Sequence, residues 1–123
     1  MLSPAEFERL VAQALDNLPP YFQQTMSNVE VLIETWPTPQ DLRVAETPRG
    51  HTLLGLYRGV PLTQRTRAYA LVPPDTITLF QGPIEQTYRT PKAIRAGVRH
   101  TVIHELAHHF GISDDRLREL GAY

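Results

Sequence analysis

The chain has 123 residues, of which 41% are hydrophobic and 20% are charged, a composition that supports one modest core and is unlike that of disordered proteins. Its formal net charge of -1 gives no electrostatic reason to expect a binder of nucleic acid or of anionic membranes. The sequence contains no cysteine, which excludes disulfides and thiolate ligands, so nitrogen and oxygen atoms must hold any metal.

The length predicts a single domain over residues 1–123. Glu6 is acidic where a signal peptide would be basic, and no apolar run of transmembrane length follows it. We therefore expect a cytoplasmic protein without membrane or nucleic-acid partners. The sequence leaves its oligomeric state open, with a monomer as one possibility.

The first part of the chain predicts one helix followed by short strands. Ser3 can cap a helix, Pro4 suits its first turn, and an apolar stripe with helical spacing continues to Leu18, before Pro19-Pro20 ends the helix. Alternating or short apolar runs predict strands at residues 28–34, 53–58, 68–72 and 75–81. Residues 37–50 predict a loop with one helical turn at 41–44.

The last long helix is the most informative element of the sequence. Thr90-Pro91 is a helix start, and Gly111 is the residue expected just after a helix that ends at Phe110. Two neighbouring apolar stripes run along this helix, so we expect it to be largely buried. Ser113 can cap a final short helix over residues 114–120.

Within the long helix, residues 104–108 read HELAH, an H-E-x-x-H motif. His104 and His108 lie one turn apart on the same face, so their imidazoles can bind one ion. Glu105 would flank that ion without binding it, and it can accept a proton from a water whose pKa zinc lowers to roughly 7. Such a motif also arises by chance on polar helix faces. Here we expect the trio to be buried, which costs free energy unless a metal satisfies it.

Two histidines need a third protein ligand to hold zinc tightly. Gly111 allows a left-handed turn that returns the chain towards the metal, and Asp114 follows His108 by six residues with a carboxylate that suits zinc. The resulting H-E-x-x-H-x-x-G-x-x-D pattern resembles the metzincin motif with Asp in place of the third His, although the chain lacks a methionine turn. Asp115 and Glu119 are weaker candidates.

Two further histidines lie on the same helix. His100 lies roughly 12 Å along the axis from His108, too far to share one ion with both predicted ligands. It is either a cleft-wall residue or an ordinary exposed one. His109 points about 100° away from its neighbour, so we expect it to pack or to form a hydrogen bond.

Several segments of the chain resemble the bacterial minimal zincin-like metallopeptidase family. They are LGLYRGVPLT at 54–63, GPIE at 82–85, RHTVIHELAHHFGI at 99–112, Asp114, and RLRELG at 116–121. The resemblance covers most of the chain from about Val29 onward. One departure is Ser113, which stands where the family often has an acid.

The resemblance implies a fold as well as a site. The fold is of the α+β class, with a small twisted mixed β-sheet packed on a long active-site helix, an N-terminal helix and a short C-terminal helix. The implied zinc ligands are His104, His108 and Asp114, and the implied general base is Glu105.

The sequence therefore predicts a zinc-dependent peptidase that acts on peptides or proteins, with Glu105 moving the proton from the attacking water to the leaving amine. An edge strand at 68–72 or 75–81 would pair with the extended substrate. Candidate donors to the developing oxyanion are Tyr57, Arg58, Arg65 and Arg67 by their chemistry alone, although the sequence favours ordinary surface and core-edge roles for them. Two alternatives remain open. One is a zinc-stabilised binding module without activity, whose site needs a fourth protein ligand. The other is a metal-dependent nuclease or other hydrolase, which the near-neutral charge and Glu105 disfavour.

Overall fold

The computed structural model describes residues 1–48, 50–59 and 74–122. In this part of the chain the α-helices are α1 (Pro4–Asp16), α2 (Pro20–Thr25), α3 (Pro39–Val44), α4 (Gln81–Thr87), α5 (Pro91–Phe110) and α6 (Asp114–Glu119). The strands are β1 (Val29–Glu34), β2 (Gly55–Arg58) and β3 (Asp75–Phe80), and a 3-10 turn (Met26–Asn28) precedes β1. The α+β class predicted from the resemblance is thus confirmed. The predicted strand at 68–72 lies outside the described residues.

The three strands form a mixed sheet with the order β1-β3-β2. The central strand β3 runs parallel to β1 and antiparallel to β2, and its Ile77 lies opposite Val31 on one side and Tyr57 on the other. The prediction of an edge strand at 75–81 is therefore wrong, because β3 pairs with a neighbour on both sides. The strand also ends at Phe80, since Gln81 already belongs to α4.

Side-chain caps set the starts of three helices as predicted. Ser3 Oγ accepts a hydrogen bond from the Glu6 N–H at 3.2 Å, and Thr90 Oγ1 accepts from the Ala93 N–H at 3.1 Å. Ser113 Oγ likewise accepts from the third residue of α6. Helix α5 ends at a glycine in the left-handed conformation, Gly111, with φ 67°.

The core lies between α1, α5 and one face of the sheet, and α5 packs on both α1 and β2. Its fully buried side chains include Phe7, Phe22, Ile77, Leu79, Ile84, Val98, Val102 and Leu106. Because such interiors are close-packed, the position of α5 relative to the sheet is set by its apolar face. No helix in the described ranges is long and apolar enough to cross a membrane.

Two short helices were not predicted from the sequence. The first helix does end before Pro19-Pro20, as predicted, but Pro20 is also the first residue of α2, where its fixed φ is favourable. The second is α4, which accommodates Pro83 in its first turn and places Gly82 against Trp36, whose ring atoms would lie 2.6 Å from a Cβ at Gly82.

Helix α4 also forms hydrogen bonds with the segment that precedes α1. Glu85 Oε1 accepts a hydrogen bond from the Leu2 N–H at 2.9 Å, and Gln81 Nε2 donates to the Leu2 carbonyl at 2.8 Å. The GPIE segment of the sequence therefore has a structural role in this fold, since it holds both Trp36 and the segment before α1.

Candidate active site

A cleft of about 650 Å³ lies between α5 and the segment that connects α3 to β2. On the α5 side it is lined by His100, Thr101, His104, Glu105, His108 and His109. The facing wall is formed by residues 44–48 and 51–57, together with Tyr88. All five histidines of the sequence line this one cleft.

The two motif histidines open into the cleft. His104 and His108 are exposed and Glu105 is half-buried, whereas Leu106 beside them is fully buried. The expectation that the polar trio lies in the interior is therefore wrong. Helix α5 turns its apolar residues towards the core and its polar face towards the cleft, so burial no longer argues for a metal there. What supports a metal is that two imidazoles one turn apart face a single open space.

A backbone group of the neighbouring strand holds Glu105. The Tyr57 N–H donates to Glu105 Oε1 at 3.1 Å. This N–H is not used in the sheet. Leu54 O accepts from the Phe80 N–H at 3.0 Å, and in an antiparallel ladder every second residue pair is hydrogen-bonded. Tyr57 therefore belongs to a pair that exchanges no hydrogen bonds with β3, and its N–H points away from that strand. The edge of β2 thereby presents a donor to the motif helix.

The surroundings of Glu105 act on its acidity in opposite directions. Burial raises the pKa of the Glu105 carboxyl above its ordinary value, and the Tyr57 N–H and the imidazoles of His104 and His108 partly offset this rise. A carboxylate with a raised pKa binds a proton more readily, which suits a general base.

Tyr57 fixes β2 against the end of α5. Its ring stacks on His109 with ring centroids 3.9 Å apart, and its hydroxyl donates to Asp75 Oδ2 at 2.6 Å. The packing expected for His109 is thus confirmed. Tyr57 acts on Glu105 through its backbone, a role that sequence reasoning missed because the two residues are 48 positions apart.

The predicted oxyanion donors are engaged elsewhere or lie outside the described residues. The Tyr57 hydroxyl donates to Asp75, and the Arg58 guanidinium pairs with the buried carboxylate of Asp41. Arg65 and Arg67 belong to the part of the chain that the structure does not describe.

A glycine allows β2 to approach α5 closely. A Cβ built on Gly55 would lie 2.8 Å from Thr101 Cγ2 and 3.3 Å from the Thr78 carbonyl oxygen. Thr101 is itself held in place, since its hydroxyl donates to the Gly97 carbonyl at 2.8 Å. The short distance between β2 and α5 brings the Tyr57 N–H within reach of Glu105.

The predicted third ligand lies beyond the turn that follows α5. Asp114 is the first residue of α6 and is not among the residues that line the cleft. Across residues 1–48, 50–59 and 74–122, no group of three or more His, Asp or Glu side chains is placed to hold an ion. The weaker candidates Asp115 and Glu119 form ion pairs with Arg118 and Arg116 of their own helix, at 3.0 and 2.9 Å.

The donor chemistry of the cleft fits zinc in part. Two imidazoles and a neighbouring carboxylate open into the same space, and both donor types occur in zinc sites. The structure thus brings His104, Glu105 and His108 to one cleft, and Asp114 follows in the next helix without being among the described lining residues.

Comparisons with known proteins agree with this picture of the fold. A family model described as zincin-like metallopeptidase matches residues 26–122, which include the whole sheet and α5. A conserved hypothetical protein from T. thermophilus has a similar structure, with a TM-score of 0.54 and 25% sequence identity over 89% of this chain and 94% of that chain. No curated protein matches the sequence.

Proposed function

Because this chain belongs to the family of zincin-like metallopeptidases, we propose that it is a zinc-dependent peptidase whose active site is the cleft beside α5. Membership of the family implies a metal cofactor and peptide substrates. The observation that best supports the proposal is that His104 and His108 open into one cleft with Glu105 held between them and β2.

His104 and His108 would supply two imidazole nitrogens to the zinc, and Asp114 would supply a carboxylate oxygen. The assignment of Asp114 rests on the H-E-x-x-H-x-x-G-x-x-D pattern and on the turn at Gly111, which directs the chain into α6 directly after α5. Zinc in such a site polarises a carbonyl group and lowers the pKa of water.

Glu105 is the residue that moves the proton in this proposal. Of its two carboxylate oxygens, Oε1 accepts the hydrogen bond from Tyr57, and no hydrogen bond to Oε2 occurs among the described residues. Oε2 would therefore take the proton from the attacking water and return it to the leaving amine. The Tyr57 N–H keeps the carboxylate in one orientation during both transfers.

The substrate backbone would lie beside β2. Of the described strands, β2 borders the cleft, whereas β3 is enclosed by its two neighbours. A closed structural zinc site requires four protein ligands, and the open, histidine-lined cleft favours a catalytic site instead. A single domain over residues 1–123, a cytoplasmic location and the lack of nucleic-acid or membrane partners stay predictions.

A peptide-cleavage assay tests the proposed function. The wild type, loaded with one equivalent of zinc, is incubated with a quenched-fluorescent peptide library beside the matched variant Glu105→Gln. We expect cleavage by the wild type and a rate at least about 100-fold lower for the variant, because the general base is lost while the zinc ligands stay. Equal rates would remove Glu105 from the mechanism. Absence of cleavage by zinc-bound wild type would refute the peptidase assignment.

A further inference from the structure

The wall that faces α5 contains one residue whose backbone conformation is disfavoured for any amino acid with a Cβ. Among the described residues, Glu46 is the one non-glycine residue with a positive φ, at 54°. It follows α3 at the position where a left-handed residue ends a helix, and the Thr47 N–H closes that turn by donating to the Leu42 carbonyl at 2.9 Å. Glycine is the residue that suits this position, because a Cβ is disfavoured there.

The side chain at this strained position is an acid that lines the cleft. Glu46 is exposed, and with Glu105 it supplies the acidic side chains among the described lining residues. No Lys or Arg of the described chain lines the cleft, and Glu46 forms no ion pair with any described residue. Its negative charge therefore lies on the wall of the cleft without a described Lys or Arg on that wall to offset it.

The need to end α3 does not explain why a glutamate occupies position 46. Glycine would end α3 with less strain, and the carboxylate of Glu46 stabilises nothing in the described part of the fold. Non-glycine residues in this backbone conformation cluster at active sites and ligand-binding sites.

We propose that Glu46 determines substrate specificity by binding a cationic group of the peptide. This inference rests on the proposed peptidase function and names the substrate class of the same cleft, namely peptides with an ammonium or guanidinium group that reaches the wall facing α5. The cation can belong to a Lys or Arg side chain or to a free N-terminus. Both are attracted to a carboxylate that no cation of the described chain neutralises.

The first test measures binding without metal and without catalysis. Three peptide amides are titrated into the isotope-labelled, metal-free protein and followed by NMR: N-acetyl-Ala-Lys-Ala, N-acetyl-Ala-Gln-Ala, and Ala-Gln-Ala with a free N-terminus. We expect a cationic peptide to bind about threefold more tightly than the neutral one, as one solvent-exposed ion pair allows. The two cationic peptides distinguish a side-chain cation from a terminal one.

Variants then assign the preference to one residue. Glu46→Gln should abolish the preference and Glu46→Lys should reverse it, whereas Glu8→Gln on α1, an equal charge change away from the cleft, should preserve it. Glu46→Gly should raise the thermal midpoint of the protein while it also abolishes the preference, because glycine relieves the strain and lacks the carboxylate. If Glu46→Gln keeps the preference, or if the cationic peptides bind no better than the neutral one, the assignment is overturned.

The second test uses the zinc-loaded protein and separates this inference from the proposed function. Cleavage of cationic peptides in preference to neutral ones, with the ratio lost in Glu46→Gln, supports both. Cleavage without any preference for a cation supports the peptidase and overturns the role of Glu46. A Glu46-dependent binding preference in a protein that cleaves no peptide supports the recognition site and refutes the peptidase.

Discussion

Helix α5 has two faces that differ in surroundings and in purpose. One face buries Val98, Val102 and Leu106 completely against α1 and the sheet. The other exposes His104 and His108 to the cleft. The boundary between the faces is sharp, since half-buried Glu105 and fully buried Leu106 are neighbours in the chain.

The two faces show how one helix can serve both a stable core and a polar site. The buried face fixes the position of the helix through packing, so the cleft face is free to carry residues that contribute little to stability. Side chains on the cleft face can then be changed without loss of the fold, which makes the site open to experiment.

The largest expected effect comes from the buried face. Leu106→Ala should lower the free energy of unfolding of the metal-free protein by about 2–5 kcal/mol, because it leaves a cavity in a close-packed core. His108→Ala, two residues further along, should change it by less than about 0.5 kcal/mol. Urea unfolding followed by circular dichroism measures both. Similar losses for the two variants would show that the faces are not energetically distinct.

The next prediction concerns the contact between the helix and β2. Gly55→Ala should destabilise the protein by about 1–3 kcal/mol, because the new methyl group overlaps with Thr101 Cγ2. Adding Thr101→Ser removes that methyl group and keeps the hydroxyl that donates to Gly97, so it should recover part of the loss. Thr101→Ser alone is the control in the same unfolding assay. A double variant no more stable than Gly55→Ala would place the strain elsewhere.

A smaller effect is expected for Tyr57, the β2 residue whose ring packs on His109 at the end of α5. Tyr57→Phe removes the hydroxyl that donates to Asp75 but keeps the ring on His109 and the N–H that binds Glu105. We expect a loss of about 1 kcal/mol in the free energy of unfolding. Zinc affinity should stay within about threefold, which isothermal titration can verify. A large change in affinity would show that the hydroxyl contributes to the site.

The smallest effect lies away from α5 and depends on pH. The Thr38 backbone N–H, followed by the Thr38 hydroxyl and Arg58, lowers the pKa of Asp41, while burial opposes the change. Because folding favours the charged form, this residue stabilises the protein at neutral pH, and its contribution disappears as the pH falls through the folded pKa below the ordinary value of 3.8. The thermal midpoints of the wild type and Asp41→Asn should therefore differ at pH 7 and approach each other towards pH 3. A gap that is constant with pH would contradict this assignment.

The sequence predicted those parts of the fold whose signals are local. The bounds of α5 follow from Thr90 at its start and Gly111 at its end, and the positions of all three described strands follow from short apolar runs. The H-E-x-x-H motif itself needs only the helical period. These features depend on residues within one or two turns of each other, which explains why they could be predicted.

Features that depend on tertiary packing could not be predicted in the same way. Strand order is set by the packing of distant segments, so the central position of β3 was missed. The direction of the polar trio was also misjudged, because two apolar stripes on α5 do not reveal that its third side borders a cleft. The contact from Tyr57 to Glu105 and the left-handed Glu46 likewise become apparent only in three dimensions.

The most direct test of the central claim is zinc binding by the wild type and three variants at neutral pH. The claim is that the cleft face of α5 forms a zinc site with Glu105 beside the metal and not bound to it. We predict one zinc per chain, a loss of affinity of about 100-fold or more in His108→Ala and Asp114→Ala, and nearly unchanged affinity in Glu105→Gln. Zinc binding to His108→Ala that is as tight as to the wild type would contradict the claim.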